Sequence, residues 1–161
     1  MILPIKKNPD PILSQVGLKL SKNEIFHPDR QQLIQNMIAT MYAKDGVGLA
    51  ASQVGQCLQI CVIAKNFTNE QKQDLVLINP SFVKASVFKE WDEEGCLSVP
   101  NTYGQVKRYK KIKVKALDIN GQNIQFTAQN FFARVIQHEI DHLNGILFIT
   151  KAKNLHEIYK E

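Results

Sequence analysis

The chain has 161 residues, 44% of them hydrophobic and 22% charged, which suits one globular domain able to bury a core without staples. There is no run of about 18 apolar residues, and Met1-Ile2-Leu3-Pro4-Ile5-Lys6-Lys7 holds no extended apolar segment, so neither a membrane span nor a secretory leader is expected. The net charge of +5 permits a polyanionic neighbour such as RNA without demanding one, and three cysteines, an odd count, argue for a reducing compartment and a soluble cytoplasmic protein.

In chain order, Asn8-Pro9-Asp10-Pro11 is turn or irregular chain that wraps the domain. Pro28-Asp29 marks a helix start, and Leu33, Ile34, Met37, Ile38 and Met41 recur at helical spacing until Asp45-Gly46 stops the pattern. Such a stripe is packing, and its methionines need no cofactor. Gly46-Val47-Gly48-Leu49-Ala50-Ala51-Ser52-Gln53 follows. A lone G-x-G with no third glycine and no following helix pattern is not a dinucleotide fingerprint. Taken alone, the stretch is a tight turn in which small residues let backbone approach a ligand, and Gln53 offers an amide donor and acceptor.

Strands are predicted over 58–63, 75–78, 83–88 and 112–117, with Asn79-Pro80 ending the second. Cys57 and Cys61 fall in or beside the first of these as inert core residues, whereas Cys96 lies in Glu94-Gly95-Cys96-Leu97-Ser98-Val99-Pro100, where a bend can present a thiolate. Lys111, Lys113 and Lys115 alternate with apolar residues and form the solvated face of a strand; no aromatic interleaving marks a nucleic-acid surface. Asp118-Ile119-Asn120-Gly121 closes a hairpin that returns through 124–126, and Thr127 caps the next helix. That helix carries Phe131, Phe132, Val135 and Ile136 and ends at Asn144-Gly145. Ile146-Leu147-Phe148 is one more apolar run, and the tail from Lys151 is polar. His27 and His156 belong to no motif and are expected to face solvent. These elements give an α+β class, a mostly antiparallel sheet packed on one buried helix, with Cys96 held opposite that helix.

Within that helix, Gln137-His138-Glu139-Ile140-Asp141-His142 has the H-E-x-x-H spacing of a helix-borne metal site. Residues four apart lie one above the other, so two imidazoles can bind one ion while Glu139 stands beside it to accept and return a proton from water. The motif alone also fits a polar helix face with two satisfied histidines, so a third ligand decides between the readings.

Three stretches taken together, 46–53, 94–98 and 137–145, resemble the peptide deformylase family in order, identity and separation, and the resemblance covers essentially the whole chain. It implies one catalytic domain over 1–161, with antiparallel β-strands packed around a central metal-binding α-helix. It implies a metal held by Cys96, His138 and His142, normally Fe2+, with Ni2+, Co2+ or Zn2+ able to substitute. Glu139 is then the acid–base residue, and the Gln53 side-chain amide and the Leu97 backbone N–H are oxyanion donors. Phe131 and Val135 are assigned to the methionine pocket, and backbone around Val47, Gly48 and Leu97 to pairing with an extended peptide. Asp141 and Arg108 are expected to pair behind the ligands.

Two positions depart from the family pattern. Arg134 stands where members often have an apolar residue and is expected at the pocket rim with its charge in water. Tyr103 stands where many members carry an arginine. The implied partners are N-formylmethionyl nascent polypeptides and, as a hypothesis, a transient ribosome contact; no membrane is implied. The competing readings are a zinc peptidase, which explains only the helix, and a non-catalytic metal module, which needs neither Glu139 nor Gln53.

Overall fold

The computed structural model describes residues 1–159. Its α-helices are α1 (Lys22–Ile25), α2 (Pro28–Ala43) and α3 (Asn130–Leu143). Its strands are β1 (Gly48–Ala50), β2 (Ile60–Ile63), β3 (Leu75–Lys84), β4 (Lys89–Cys96), β5 (Val99–Tyr109), β6 (Lys111–Leu117), β7 (Asn123–Gln129) and β8 (Lys153–Glu157). They form a five-stranded antiparallel sheet in the order β1-β2-β3-β6-β7 and a three-stranded sheet in the order β4-β5-β8. No described helix is long and apolar enough to cross a membrane.

The five-stranded sheet is buried on both faces where α2 and α3 cover it. Along β2, Ile60 and Val62 pack with Ile34, Met37 and Met41 of α2, while Cys61 and Ile63 pack with Val135, Ile136 and Ile140 of α3. β3 divides in the same way, Val76 and Ile78 toward α2 and Leu75 and Leu77 toward α3. That two-sided burial is why these strands are continuous apolar runs without polar alternation. β6 lies beyond α2, so it alternates: Ile112, Val114 and Ala116 are buried and the lysines between them are exposed.

Several boundaries differ from the sequence expectation. Asn79-Pro80 does not end β3, which passes through a bulge between Ile78 and Ser81 and continues to Lys84. The Asn79 side chain makes this possible by exchanging two hydrogen bonds with the backbone of Leu20, its Oδ1 accepting at 2.9 Å and its Nδ2 donating at 2.8 Å. Residues 85–88 are therefore a turn, where a strand was predicted. Thr127 is a strand residue and not a cap; β7 runs to Gln129, and Asn130 at φ 54° makes the sharp entry into α3. Cys57 is half-buried and precedes β2, so of the two cysteines expected in the core only Cys61 is there. The polar tail contains β8, added to β5.

The N-terminal segment does wrap the fold. Leu3 N donates to Thr40 Oγ1 of α2, Lys6 N to Gln53 O, and Asn8 N to Ser98 O, each at 2.8 Å. It thereby ties together two of the stretches singled out above.

Candidate metal centre and active site

Cys96 is the last residue of β4, where a register shift between Gly95 and Cys96 turns the chain toward α3. His138 and His142 project from one face of α3 with their ring centroids 4.9 Å apart. The three side chains each bring a ligand atom to one place, all within 4.8 Å of one another, and Cys96 Sγ lies 3.2 Å from His142 Nε2. The end of a strand thus brings to the two histidines of the helix face the third candidate ligand that the helix motif alone could not supply.

The orientation of His138 is fixed from behind. Its Nδ1 donates to Glu94 Oε2 at 2.9 Å, which leaves Nε2 for the centre. Glu94 is the hub of a buried ion network. Arg108 forks onto both its oxygens, Nε to Oε1 at 2.9 Å and Nη2 to Oε2 at 3.0 Å. Arg134 Nη1 reaches Oε1 at 2.9 Å and also donates to the carbonyl of Val106. Arg108 Nη1 then meets Asp141 Oδ2 at 2.5 Å, and Lys151 closes the chain on Asp141. The expected Arg108–Asp141 pair is therefore present, as one edge of a larger network.

This corrects the expectation for Arg134. It is 5% exposed and paired with Glu94, not a rim residue with its charge in water. Glu94 itself was missed, although it belongs to the Cys96 stretch; as the last of three consecutive acids, Asp92-Glu93-Glu94, it is not set apart by its own sequence. Of the two histidines without a motif, His27 is exposed and caps α2, accepting from Asp29 N, while half-exposed His156 contacts Glu93 and Tyr103.

Electrostatics follow from burial and these contacts. Burial works to raise the Glu94 carboxyl, but the His138 and Arg108 hydrogen bonds prevail and hold it well below the usual carboxylate range. Burial pushes His142 well down, which keeps its imidazole neutral and able to ligate a cation. At His138 burial is outweighed by hydrogen bonds to Cys96 and Glu94 and by the Glu139 charge, so its proton is held up to about 10. A metal ion competes with that proton for Nε2. Burial raises Glu139 to about 7, the range of a group that exchanges protons at neutral pH. Burial also pushes the Cys61 thiol up, consistent with an inert core cysteine.

Glu139 is 3% exposed, and its Oε2 has no hydrogen-bond partner among the described residues. Its other oxygen lies against Gly48, where a Cβ would stand 2.6 Å from Oε1, so β1 approaches the carboxylate this closely only because residue 48 has no side chain. Gln53, 2% exposed, is held by its Oε1 accepting from Ala50 N at 2.9 Å. Its Nε2 points to Cys96 Sγ at 3.4 Å and Ser98 Oγ at 3.2 Å.

A cavity of about 460 Å³ opens on Cys96, His138, Glu139 and Gln53. Val47, Gly48 and Leu97 line it from β1 and the β4–β5 turn, and Phe131 and Val135 line it from α3. All the predicted site residues except His142 thus face one cavity, and His142 lies behind Cys96 at 1% exposure. A soft thiolate and two imidazoles with one side open are a donor set suited to a catalytic divalent transition metal, and the unpartnered Glu139 oxygen lies where a water beside such an ion needs an acceptor.

The sequence model of the family described as polypeptide deformylase matches residues 2–157. The chain belongs to the polypeptide deformylase family. Members are metal-dependent hydrolases that remove the N-formyl group from newly synthesised polypeptides, and family membership gives this chain that activity. The peptide deformylase of Desulfotalea psychrophila is 42% identical over 99% of this chain and 94% of its own length. That of Rhizobium meliloti is 41% identical over 96% of this chain and 87% of its own. Among solved structures, a Met-Ala-Ser-bound class I type b peptide deformylase from Acinetobacter baumannii superposes with a TM-score of 0.86 at 38% identity, covering 93% of this chain and 99% of that one. An actinonin complex of the Synechococcus elongatus deformylase gives a TM-score of 0.85 at 39% identity, over 94% of this chain and 79% of that one. The resemblance stated from three stretches thus extends through the whole fold, and the zinc-peptidase alternative is set aside.

Proposed function

We propose that Cys96, His138 and His142 hold one divalent ion, Fe2+ by preference with Ni2+, Co2+ or Zn2+ able to substitute, and that the cavity beside it deformylates N-formylmethionyl polypeptides. The observation that carries the reading is the convergence of the three ligand atoms within 4.8 Å, beside a buried carboxylate oxygen that has no described partner. When bound, the ion supplies Lewis acidity, lowering the pKa of water from ~16 toward roughly 7. The protein's own groups do the rest.

Glu139 accepts a proton from the attacking water. It returns that proton to the departing α-amine as the formyl C–N bond breaks, so formate and a free N-terminus leave together. Gln53 Nε2 and the Leu97 N–H donate to the oxygen that gains charge at the formyl carbon; Gln53 is supported in this role by its position beside Cys96. Val135 and Phe131 provide apolar surface for the methionine side chain, and the backbone of Val47, Gly48 and Leu97 pairs with the extended peptide. Glu94 orients His138, and the two arginines keep Glu94 ionised. The whole of 1–161 acts as one catalytic domain in the cytoplasm, meeting nascent chains and making a transient ribosome contact.

The test is formate release from a formyl-methionyl peptide by anaerobically prepared, iron- or nickel-loaded protein, with Glu139→Ala as control. The reading requires turnover in the parent and, in the variant, one metal per chain without turnover. Activity surviving in Glu139→Ala would overturn the role assignment. For the ribosome contact, co-sedimentation with ribosomes left unchanged when the chain is cut at Lys151 would count against it.

A further inference from the structure

Tyr103 lines the cavity but lies outside the proposed metal centre, and one of the two residues that flank it, His156, does not line the cavity. On β5 its cross-strand neighbours are Gly95 of β4 and His156 of β8. The Tyr103 ring leans over Gly95 so closely that a Cβ at that residue would stand 2.7 Å from Cε1. On the other flank the His156 ring stacks on it, centroids 6.1 Å apart at 29°. His156 Nε2 also pairs with Glu93 Oε1 at 3.1 Å, and Nδ1 donates to Asn154 O at 3.0 Å. Glu93 is a second cavity-lining residue. One side chain on β8 therefore grips two residues of the cavity wall, from two different strands.

The grip contributes little stability, because His156 and Glu93 are each about half exposed and water screens the contact between them. Its effect is geometric. Without it, Tyr103 and Glu93 face solvent on their β8 side and must be immobilised when a peptide binds.

We propose that His156 is a positioning residue: by holding Tyr103 and Glu93 as one wall, β8 governs contact with the part of a peptide substrate beyond its formyl-methionine. The assignment rests on the deformylase reading above. The wall lies on the β4–β5 side of the cavity, away from the apolar surface of α3 that receives the methionine side chain, so the two parts of the substrate are separable in experiment.

The test compares formyl-methioninamide, which ends at the first residue, with formyl-Met-Ala-Ser, using metal-loaded full-length protein and His156→Ala. The expected result is a KM for the tripeptide raised by roughly fivefold or more with kcat unchanged, the size that follows when ordering two side chains is moved from folding to binding. Both parameters for the amide stay at their parent values, which also shows that the variant is folded and metallated. His156→Phe, which keeps the stack and loses the Glu93 contact, recovers part of the KM. Equal KM changes for both substrates, a fall in kcat, or no change with the tripeptide would each overturn the proposal. If the parent turns over neither substrate, the deformylase reading has failed and the proposal falls with it.

Discussion

Replacing Glu94 with Gln tests whether the buried ion network is what presents the metal ligands. The substitution preserves shape and removes one negative charge from a site whose side chain is only 5% exposed. Arg108 retains Asp141 as a partner, but Arg134 loses its only described carboxylate and is left with carbonyl acceptors alone. Breaking a buried ion pair on one side costs about 3–5 kcal/mol. A glutamine oxygen can still accept from Arg108 Nε and Arg134 Nη1, which points to the lower end, about 3 kcal/mol. Its amide group, however, faces the donors His138 Nδ1 and Arg108 Nη2. For a chain of this size that loss is about 6–12 °C in Tm. Loss of the His138 hydrogen bond should also weaken metal binding by roughly 10- to 100-fold.

The pH dependence gives the argument a sign. The folded carboxyl of Glu94 is held below the unfolded value of 4.5, so the stability it contributes is fully present above pH 4.5 and lost as pH falls toward its folded value. Thermal unfolding of the metal-free proteins should therefore show the widest gap between parent and variant at neutral pH, narrowing below 4.5. A competition titration measures the metal term separately. A second substitution, Arg134→Met in the Glu94→Gln background, should restore part of the Tm by removing the uncompensated cation. A variant within about 2 °C of the parent at pH 7, with unchanged metal affinity, would refute the network's role.

Three further outcomes follow from the same contacts. Burial raises Glu139 from 4.5 to about 7, so in the metal-free protein its ionisation disfavours the fold increasingly from pH 4.5 upward; Glu139→Gln should unfold at higher denaturant than the parent above pH 7, by roughly 3 kcal/mol, with no gain below pH 4.5. Gly48→Ala puts a methyl 2.6 Å from Glu139 Oε1, and kcat should fall by about 10-fold or more as the carboxylate is displaced, while metal content by elemental analysis stays at parent level. Gln53→Ala should lower kcat by roughly 10²- to 10³-fold in steady-state assays if its amide stabilises developing charge; a change confined to KM would assign it to ground-state binding alone.

What could be read from the sequence, and what could not, divides along a physical line. The three proposed ligands, the acid beside them and the proposed oxyanion side chain sit in contiguous stretches whose residue types are dictated by chemistry. The structure brings all of them to one cavity or, for His142, directly behind it. The α2 stripe and the Asn120-Gly121 hairpin were legible because their periods and turn chemistry are local. The β4–β8 part of the second sheet was not. β4 is exposed along most of its length and carries no apolar alternation, since one of its faces meets solvent and the other turns Glu94 toward charged partners. β8 is exposed throughout and exists by adding to the edge of β5, which no local pattern in its own residues announces.

The same line explains Arg134. A helix position facing the metal centre is expected to be apolar or to send a charge out to water, because a lone buried guanidinium is costly. The cost is offset by an acid 40 residues earlier in the chain, on a strand whose register places it between two arginines and a histidine. Arg134 and Glu94 are thus each unintelligible alone and explicable as a pair. A helix and a strand brought to a common centre by Cys96 and His138 also share the ion pair immediately behind it. The residues proposed to do the chemistry carry their signal in type and spacing, whereas those that hold them carry it only in partnership.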